Sequence, residues 1–517
     1  MTEPTDARQY SQRLAAGSFW NLTNFVITGI LGFVASIYLA RYLHASTYGQ
    51  YSFVVTVVAI VSLMMDLGFG QVFARYVPKY FHDEQNKRVA IRLFKQAVAI
   101  ELTVVTALGL LAWVFRDKIS LLPSTNQLAG TLLVVVILAM IAASTARQIT
   151  SFLSSAHLFK RLAIATVISQ FLTIAAIFTF GHIGNVSLFF FLPLFSSLVL
   201  LTTLGLSLRG VLTVSAAVTT KSINKKELAS YASLAYVGLI IQFVVWSYSE
   251  VFFLRHFSTF KEIGYYTLAF SLSGILAAIP PLFYKPITNI QFELLERGED
   301  KTVDKLTFFT MKYTSTIFLP LSLIASFLMY DLIQLLYGHE YLTVAYLFPM
   351  CLFGAILTAS FLPITIRMIN DNRQYSRIIV LTAIVAGVNI LLDLLLIPHH
   401  GAIGAGIANL LTQLTIVVST VAYSTYQLDI EVNWLALGKI LLANLIIGLG
   451  LGVLTLQTGL MAKIGLAILA VIIYPFILKA LRIFDQEDRQ ALALIGESVP
   501  LRRYLGPVKK VVSYFIA

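Results

Sequence analysis

Apolar runs of about twenty residues follow one another along nearly the whole chain, separated by short polar stretches. Fourteen can be drawn, at roughly 15–40, 49–74, 96–115, 128–150, 161–180, 186–208, 228–254, 263–284, 309–330, 342–366, 377–397, 402–425, 434–456 and 463–481. A helix rises ~1.5 Å per residue, so each run can cross a hydrocarbon layer of about 30 Å. Lipid offers no partner to backbone N–H and C=O groups, which leaves helices or closed barrels as spanning structures. The strict alternation of barrel strands is absent from these runs. The pattern predicts an all-α polytopic membrane protein with 14 transmembrane helices.

The polar positions give direction. With both termini on one side, 31 of the 37 lysines and arginines fall on that side. The other side receives Arg41, Arg116, Lys118, Arg255, Lys261 and Lys463. Basic residues concentrate on the cytoplasmic side of membrane proteins, so both termini are expected in the cytoplasm. The polar N-terminus runs into a full-length apolar segment, and no cleaved signal peptide is expected.

A repeat organises the spans. Shifted by 214 residues, Lys87, Val89, Phe94, Asp117, Ile119, Leu121 and Leu122 fall on Lys301, Val303, Phe308, Asp331, Ile333, Leu335 and Leu336. With one residue inserted, Arg41 and Gly49-Gln50-Tyr51 fall on Arg255 and Gly264-Tyr265-Tyr266, and GHIG at 181–184 matches GAIG at 401–404. The expected division is an N-lobe of six spans (1–208), a cytoplasmic linker (209–227), a C-lobe of six spans (228–425), two added spans (426–482) and a cytoplasmic tail (483–517). Both lobes start on the same side. They form a parallel repeat with a pseudo-two-fold axis along the membrane normal, an arrangement suited to alternating access.

Composition sharpens this picture. Of 517 residues, 58% are hydrophobic and 12% charged, against about 25% charged in soluble domains. The net charge of +12 is spread between the apolar runs rather than gathered on one soluble face, so a nucleic-acid partner is not indicated. The single Cys351 excludes an intramolecular disulfide and a paired-cysteine metal site. No histidine pair has zinc-ligand spacing, and no phosphate-binding loop or nucleophile elbow occurs. No enzyme activity, metal or cofactor is expected. The polar stretch 285–308 and the terminal RRYLGPVKKVVSYF read as surface helices at the cytoplasmic face.

Three segments carry a family resemblance. LARYLHASTYGQYSFVVTVVAIVSLMMDLGFGQVFARYVPKY (39–80) resembles the polysaccharide-exporter and oligosaccharide-flippase family (Wzx-type) of the multidrug/oligosaccharidyl-lipid/polysaccharide (MOP) superfamily. YSEVFFLRHFSTFKEIGYY (248–266) resembles that family's seventh span, with Glu250 where an aspartate is more usual. LLLIPHHGAIGAGIANLL (394–411) resembles a late family element. The resemblance implies a flippase of the cell inner membrane that moves a polyprenyl-pyrophosphate-linked oligosaccharide, such as an O-antigen unit, to the outer leaflet. It also implies a cationic cavity between the lobes, with a glycan polymerase and a chain-length regulator as neighbours. Two alternatives stay open. One is a cation-coupled multidrug exporter of the same superfamily. The other is a multi-span polymerase or ligase, although no loop here is large enough for the catalytic residues of such enzymes.

Within that frame, Arg41, Arg75, Arg255 and Lys285 are the candidate cationic cavity groups. Arg41 and Arg255 are repeat partners whose guanidinium forks suit a pyrophosphate, or snorkel to head groups. Arg75 and Lys285 end spans on the inner side, as cavity groups or as anchors. Asp66 and Glu250 are acids at membrane depth, where ionisable groups are costly. Each can couple transport to H+ or Na+, or pair locally. Glu101 and Asp393 receive less weight, and Asn389 with Asp393 on one helix face suggests inter-helix hydrogen bonding. Arg147 and Arg367 read as anchors. Tyr51, Trp246, Tyr265 and Tyr266 are candidates for stacking on sugar rings, or belong to an interfacial aromatic belt.

Overall fold

The computed structural model describes residues 4–81, 87–116, 129–213, 225–246, 249–282, 298–370, 375–427, 433–455 and 459–484, with 284, 287, 291, 294, 295 and 488 beside them. Among the described residues there is no strand. The helices are α1 (Pro4–Met64), α2 (Phe69–Phe81), α3 (Lys87–Val114), α4 (Ala129–Ser155), α5 (Phe159–Ile183), α6 (Leu192–Ser207) and α7 (Lys225–Trp246). They continue as α8 (Ser249–Phe257), α9 (Phe260–Ala277), α10 (Asp300–Leu336), α11 (Leu342–Asn370), α12 (Tyr375–Gln427), α13 (Trp434–Thr455) and α14 (Leu460–Ala480). Eleven described segments are long and apolar enough to cross a membrane. This is a multi-pass membrane protein.

Side-chain exposure runs opposite to that of a soluble fold. Ile384 and Val418 are 63% and 65% exposed, while Glu250, Asn389, Asp393 and Lys312 are fully buried. In water this would be costly on both counts. In a bilayer the apolar chains face lipid, and the polar groups face protein.

Two helices are too long for one crossing. The apolar part of α1, Phe19–Met64, has 46 residues, a length of about 70 Å against a hydrocarbon layer of about 30 Å. It breaks at His44, whose φ of 58° and ψ of 162° are not helical. Similarly, α12 breaks at Gly401 (φ 54°, ψ −131°). Glycine reaches that φ without a Cβ penalty. The next N–H, of Ala402, donates to Glu262 Oε2 at 2.8 Å. A carboxylate therefore caps the helical segment that restarts there. The expected span 228–254 is found as α7 and α8, with residues 247–248 outside the described ones. Of the surface helix expected at 285–308, residues 300–308 are the start of α10, and the one expected in the tail lies outside the described residues.

The chain divides into two compact units. The first comprises residues 1–268 with 386–405, and the second 269–385 with 406–517. The first unit is held by Phe73, Phe94 and Phe152 among small residues such as Ala90, Ala97, Ala146 and Ala156. The Phe94 and Phe152 rings lie 4.5 Å apart. Small residues let helices approach closely where lipid removes the hydrophobic drive for association. In the second unit, α10 turns back through 337–341 and packs along α11, with α13 and α14 against α10.

Candidate functional site

Two groups of buried carboxylates stand out, both inside the first unit. One forms around α8 and the middle of α12. Glu250, in the first turn of α8, is fully buried, as are Asn389 and Asp393 of α12. Ser249 Oγ donates to Asn389 Oδ1 at 3.0 Å and lies 3.4 Å from Glu250 Oε2. Glu250 acts electrostatically on Asp393, and both Asp393 carboxylate oxygens are buried without a hydrogen-bond partner. The i, i+4 spacing of Asn389 and Asp393 puts both on one face of α12. Two carboxylates, an amide and a hydroxyl gather here. Such a set can take a proton or a small monovalent cation. The inter-helix hydrogen bond expected of Asn389 is present. Asp393, given less weight in the sequence, is the member whose oxygens lack partners.

The second group forms where α1 ends. The chain leaves the helix at Met65–Gly68, with Leu67 and Gly68 at φ 51° and 81°. Asp66 Oδ1 accepts from the Gly70 N–H at 2.7 Å, and Asp66 O accepts from Phe69 N at 2.9 Å. Asp66 thus holds the first turn of α2, the helix-end role open to it from sequence. Gly68 is required twice over, by its φ and because a Cβ there would collide with the Ala232 carbonyl of α7. Gln148 Nε2 of α4 lies 3.4 Å from Asp66 O. Glu101 of α3 is 1% exposed, and Asp66 and Arg147 both act on it electrostatically. Arg147, expected as a cytoplasmic anchor, is half-buried and acts electrostatically on Asp66 and Glu101.

The other candidates are placed as follows. Arg41 is exposed. The Arg255 guanidinium lies 4.7 Å from the Phe260 ring centroid, and that of Arg75 lies 4.6 Å from the Tyr231 ring. Tyr51 packs on the cluster of Val54, Val58 and Leu132. Tyr265 and Tyr266 are buried, so their rings are packed against protein in this conformation. Lys285 and the Trp246 side chain lie outside the described residues.

Two glycines aligned in the expected repeat lie close together. Gly49 and Gly264, matched in sequence, pack backbone to backbone. A Cβ on Gly264 would meet Ala45 O at 2.6 Å and Gly49 N at 3.2 Å. A Cβ on Gly49 would collide with the Phe260 carbonyl.

Sequence reasoning missed the ion pairs of the second unit, among them Lys463 Nζ donating to Asp331 Oδ2 at 2.6 Å. Lys312 Nζ donates to Asp488 Oδ2 at 2.6 Å, with both side chains fully buried. Tyr313 Oη donates to the other oxygen of Asp488 at 2.9 Å. The signal was a lysine inside the apolar run 309–330. Arg367 is also no head-group anchor, because Nε and Nη2 donate to Asp304 and Asp300 at 3.0 Å each.

The profile of the family described as polysaccharide biosynthesis protein matches residues 14–288, more than half of the chain. The chain belongs to this family. Among curated proteins no sequence matches it. Its fold is shared with solved transporters. The lipid II flippase MurJ in an inward closed conformation is 15% identical, with a TM-score of 0.63 over 89% of this chain and 98% of that one. A MATE transporter of Vibrio cholerae is 12% identical, with a TM-score of 0.53 over 83% and 100%. A MOP superfamily transporter from Pyrococcus furiosus is 11% identical, with a TM-score of 0.53 over 80% and 95%. At these identities the likeness establishes a MOP-type fold. It agrees with the resemblance carried by residues 39–80, 248–266 and 394–411.

Proposed function

We propose that this member of the polysaccharide biosynthesis family is a flippase. It carries a polyprenyl-(pyro)phosphate-linked oligosaccharide from the inner to the outer leaflet of the cell inner membrane by alternating access. The observation that carries this reading is the conjunction of a polysaccharide-biosynthesis family match with a transporter fold over most of the chain. The solved relative named as a lipid II flippase supports a lipid-linked substrate.

The finer topology is part of the proposal. Breaking α1 at His44 and α12 at Gly401 raises the eleven long apolar segments to thirteen, and α7 with its apolar stretch Tyr231–Ile241 supplies the fourteenth. The basic-residue bias puts both termini in the cytoplasm. Two parallel lobes, 1–208 and 228–425, follow from the repeat, which the Gly49–Gly264 contact supports. Arg41, Arg75, Arg255 and Lys285 receive the pyrophosphate, and the Glu250–Asp393 group takes the coupling H+ or Na+. The protein acts without covalent chemistry and passes its cargo to a glycan polymerase.

The test is reconstitution in liposomes with an isoprenoid-pyrophosphate oligosaccharide in the bilayer. The reading expects that glycan to become accessible on the opposite leaflet, with loss of this activity in the Arg41→Ala/Arg255→Ala double variant. Efflux of organic cations without glycan movement would assign the chain to drug export instead.

A further inference from the structure

The second carboxylate group holds more negative charge than its single base can neutralise. Asp66 and Glu101 carry two carboxylates, and Arg147 brings one guanidinium. Asp66 is engaged by the Gly70 N–H. Glu101 is 1% exposed, and its buried carboxylate oxygens lack a well-formed hydrogen bond, with Ser144 and Gln148 of α4 as their polar neighbours. Two further atoms of the group are buried and unpartnered, Arg147 Nε and Gln148 Oε1. The latter decides the chemistry. Gln148 Nε2 is directed to the Asp66 carbonyl, which leaves its Oε1 as a buried acceptor in want of a donor. An ionised Glu101 offers no donor.

We propose that Glu101, beside Asp66, Arg147 and Gln148, is a proton-binding site that takes up and releases one proton. A proton on Glu101 removes the uncompensated buried charge, which is costly at this depth. It also creates an O–H donor for the Gln148 carbonyl oxygen. A metal ion fits less well, because it would sit beside the Arg147 guanidinium and be repelled. The charged groups acting on Glu101 are Asp66, from the α1–α2 break, and Arg147, from α4. Ser144 and Gln148 are the polar groups that α4 adds.

The site has a mechanical neighbour. Asp66 holds the start of α2, and α2 carries Arg75. Release of the proton makes Glu101 a rival to Asp66 for Arg147 and loosens the hold on that turn. This link to transport rests on the flippase reading. The proton site itself does not, and its test uses no transport.

The experiment is infrared difference spectroscopy on the purified full chain in lipid discs, with isotope-labelled glutamate. The wild type is expected to show the carbonyl band of a protonated glutamic acid near neutral pH. Glu101→Gln should abolish that band, while Asp393→Asn leaves it in place. An unchanged glutamic-acid band in Glu101→Gln overturns the proposal. So does its absence from the wild type. Should Glu101→Gln fail to fold, Arg147→Gln decides by proton count. Loss of the base that acts on Glu101 among the described residues is expected to add one bound proton near neutral pH, and an unchanged count overturns the proposal.

Discussion

Two buried carboxylate groups in the first unit are built from different neighbours. Around Glu101 and Asp66 a guanidinium, Arg147, supplies a permanent positive charge. Around Glu250 and Asp393 gather the Ser249 hydroxyl and the Asn389 amide. Among the described residues no lysine or arginine acts on Asp393. A pair of carboxylates with its own base can be neutral with one proton. The difference assigns the two acids singled out in the sequence to different work. Asp66 holds a helix end, and Glu250 belongs to the proposed coupling site.

The comparison breaks most visibly at Arg147. Arg147→Met removes the guanidinium that acts on both carboxylates and is expected to destabilise the protein by on the order of 1–3 kcal/mol. Thermal unfolding in detergent measures this, and a loss under 1 kcal/mol would show that the guanidinium serves neither acid. Next comes Asp393→Asn, which keeps the shape and removes the charge. Its gradient-driven flipping should fall by roughly 5- to 150-fold, the usual span of a coupling free energy, with little change in stability. Glu101→Gln should show the reverse, retaining gradient dependence and shifting the pH dependence of the α2 turn.

Gly264→Val tests whether both groups report one motion, because Gly264 joins α9 to the α1 break. The added side chain is expected to separate Ala45 from α9, and cysteine labelling at position 46 should rise. The smallest effect is expected from Ser249→Ala. Removal of the hydrogen bond to Asn389 should cost about 1 kcal/mol, read from the same unfolding experiment.

Much of the fold was legible because lipid imposes a simple rule on composition. Apolar runs mark helices. The breaks were legible where glycine or a repeat signalled them, as at GAIG around Gly401. The matched glycines nonetheless do different local work. In the first copy Gly184 takes the positive φ and ends α5, whereas in the second Gly401 does so and Gly404 packs against Leu396. Sequence identity marked the turn without fixing which glycine makes it.

The site was legible only in part, because partnership is a matter of three-dimensional distance. Asp66 and Glu250 attracted notice as lone acids in apolar runs. Glu101 and Asp393 sit in equally apolar surroundings, and their partners lie tens to more than a hundred residues away. Arg147 and Arg367 looked like anchors because they stand at span ends. Arg367 in fact reaches Asp300 and Asp304 across an inter-helix gap. Lys312 could be identified as misplaced for lipid, but its partner Asp488 lies 176 residues on, beyond the final span.

The most direct test is leaflet exposure of a labelled isoprenoid-pyrophosphate oligosaccharide in liposomes holding the wild type or Asp393→Asn, with and without imposed proton and sodium gradients. The account predicts that one gradient accelerates flipping by the wild type, and that the variant flips slowly and at the same rate with or without it. Equal acceleration of both proteins, or no glycan movement by the wild type under any gradient, would contradict it.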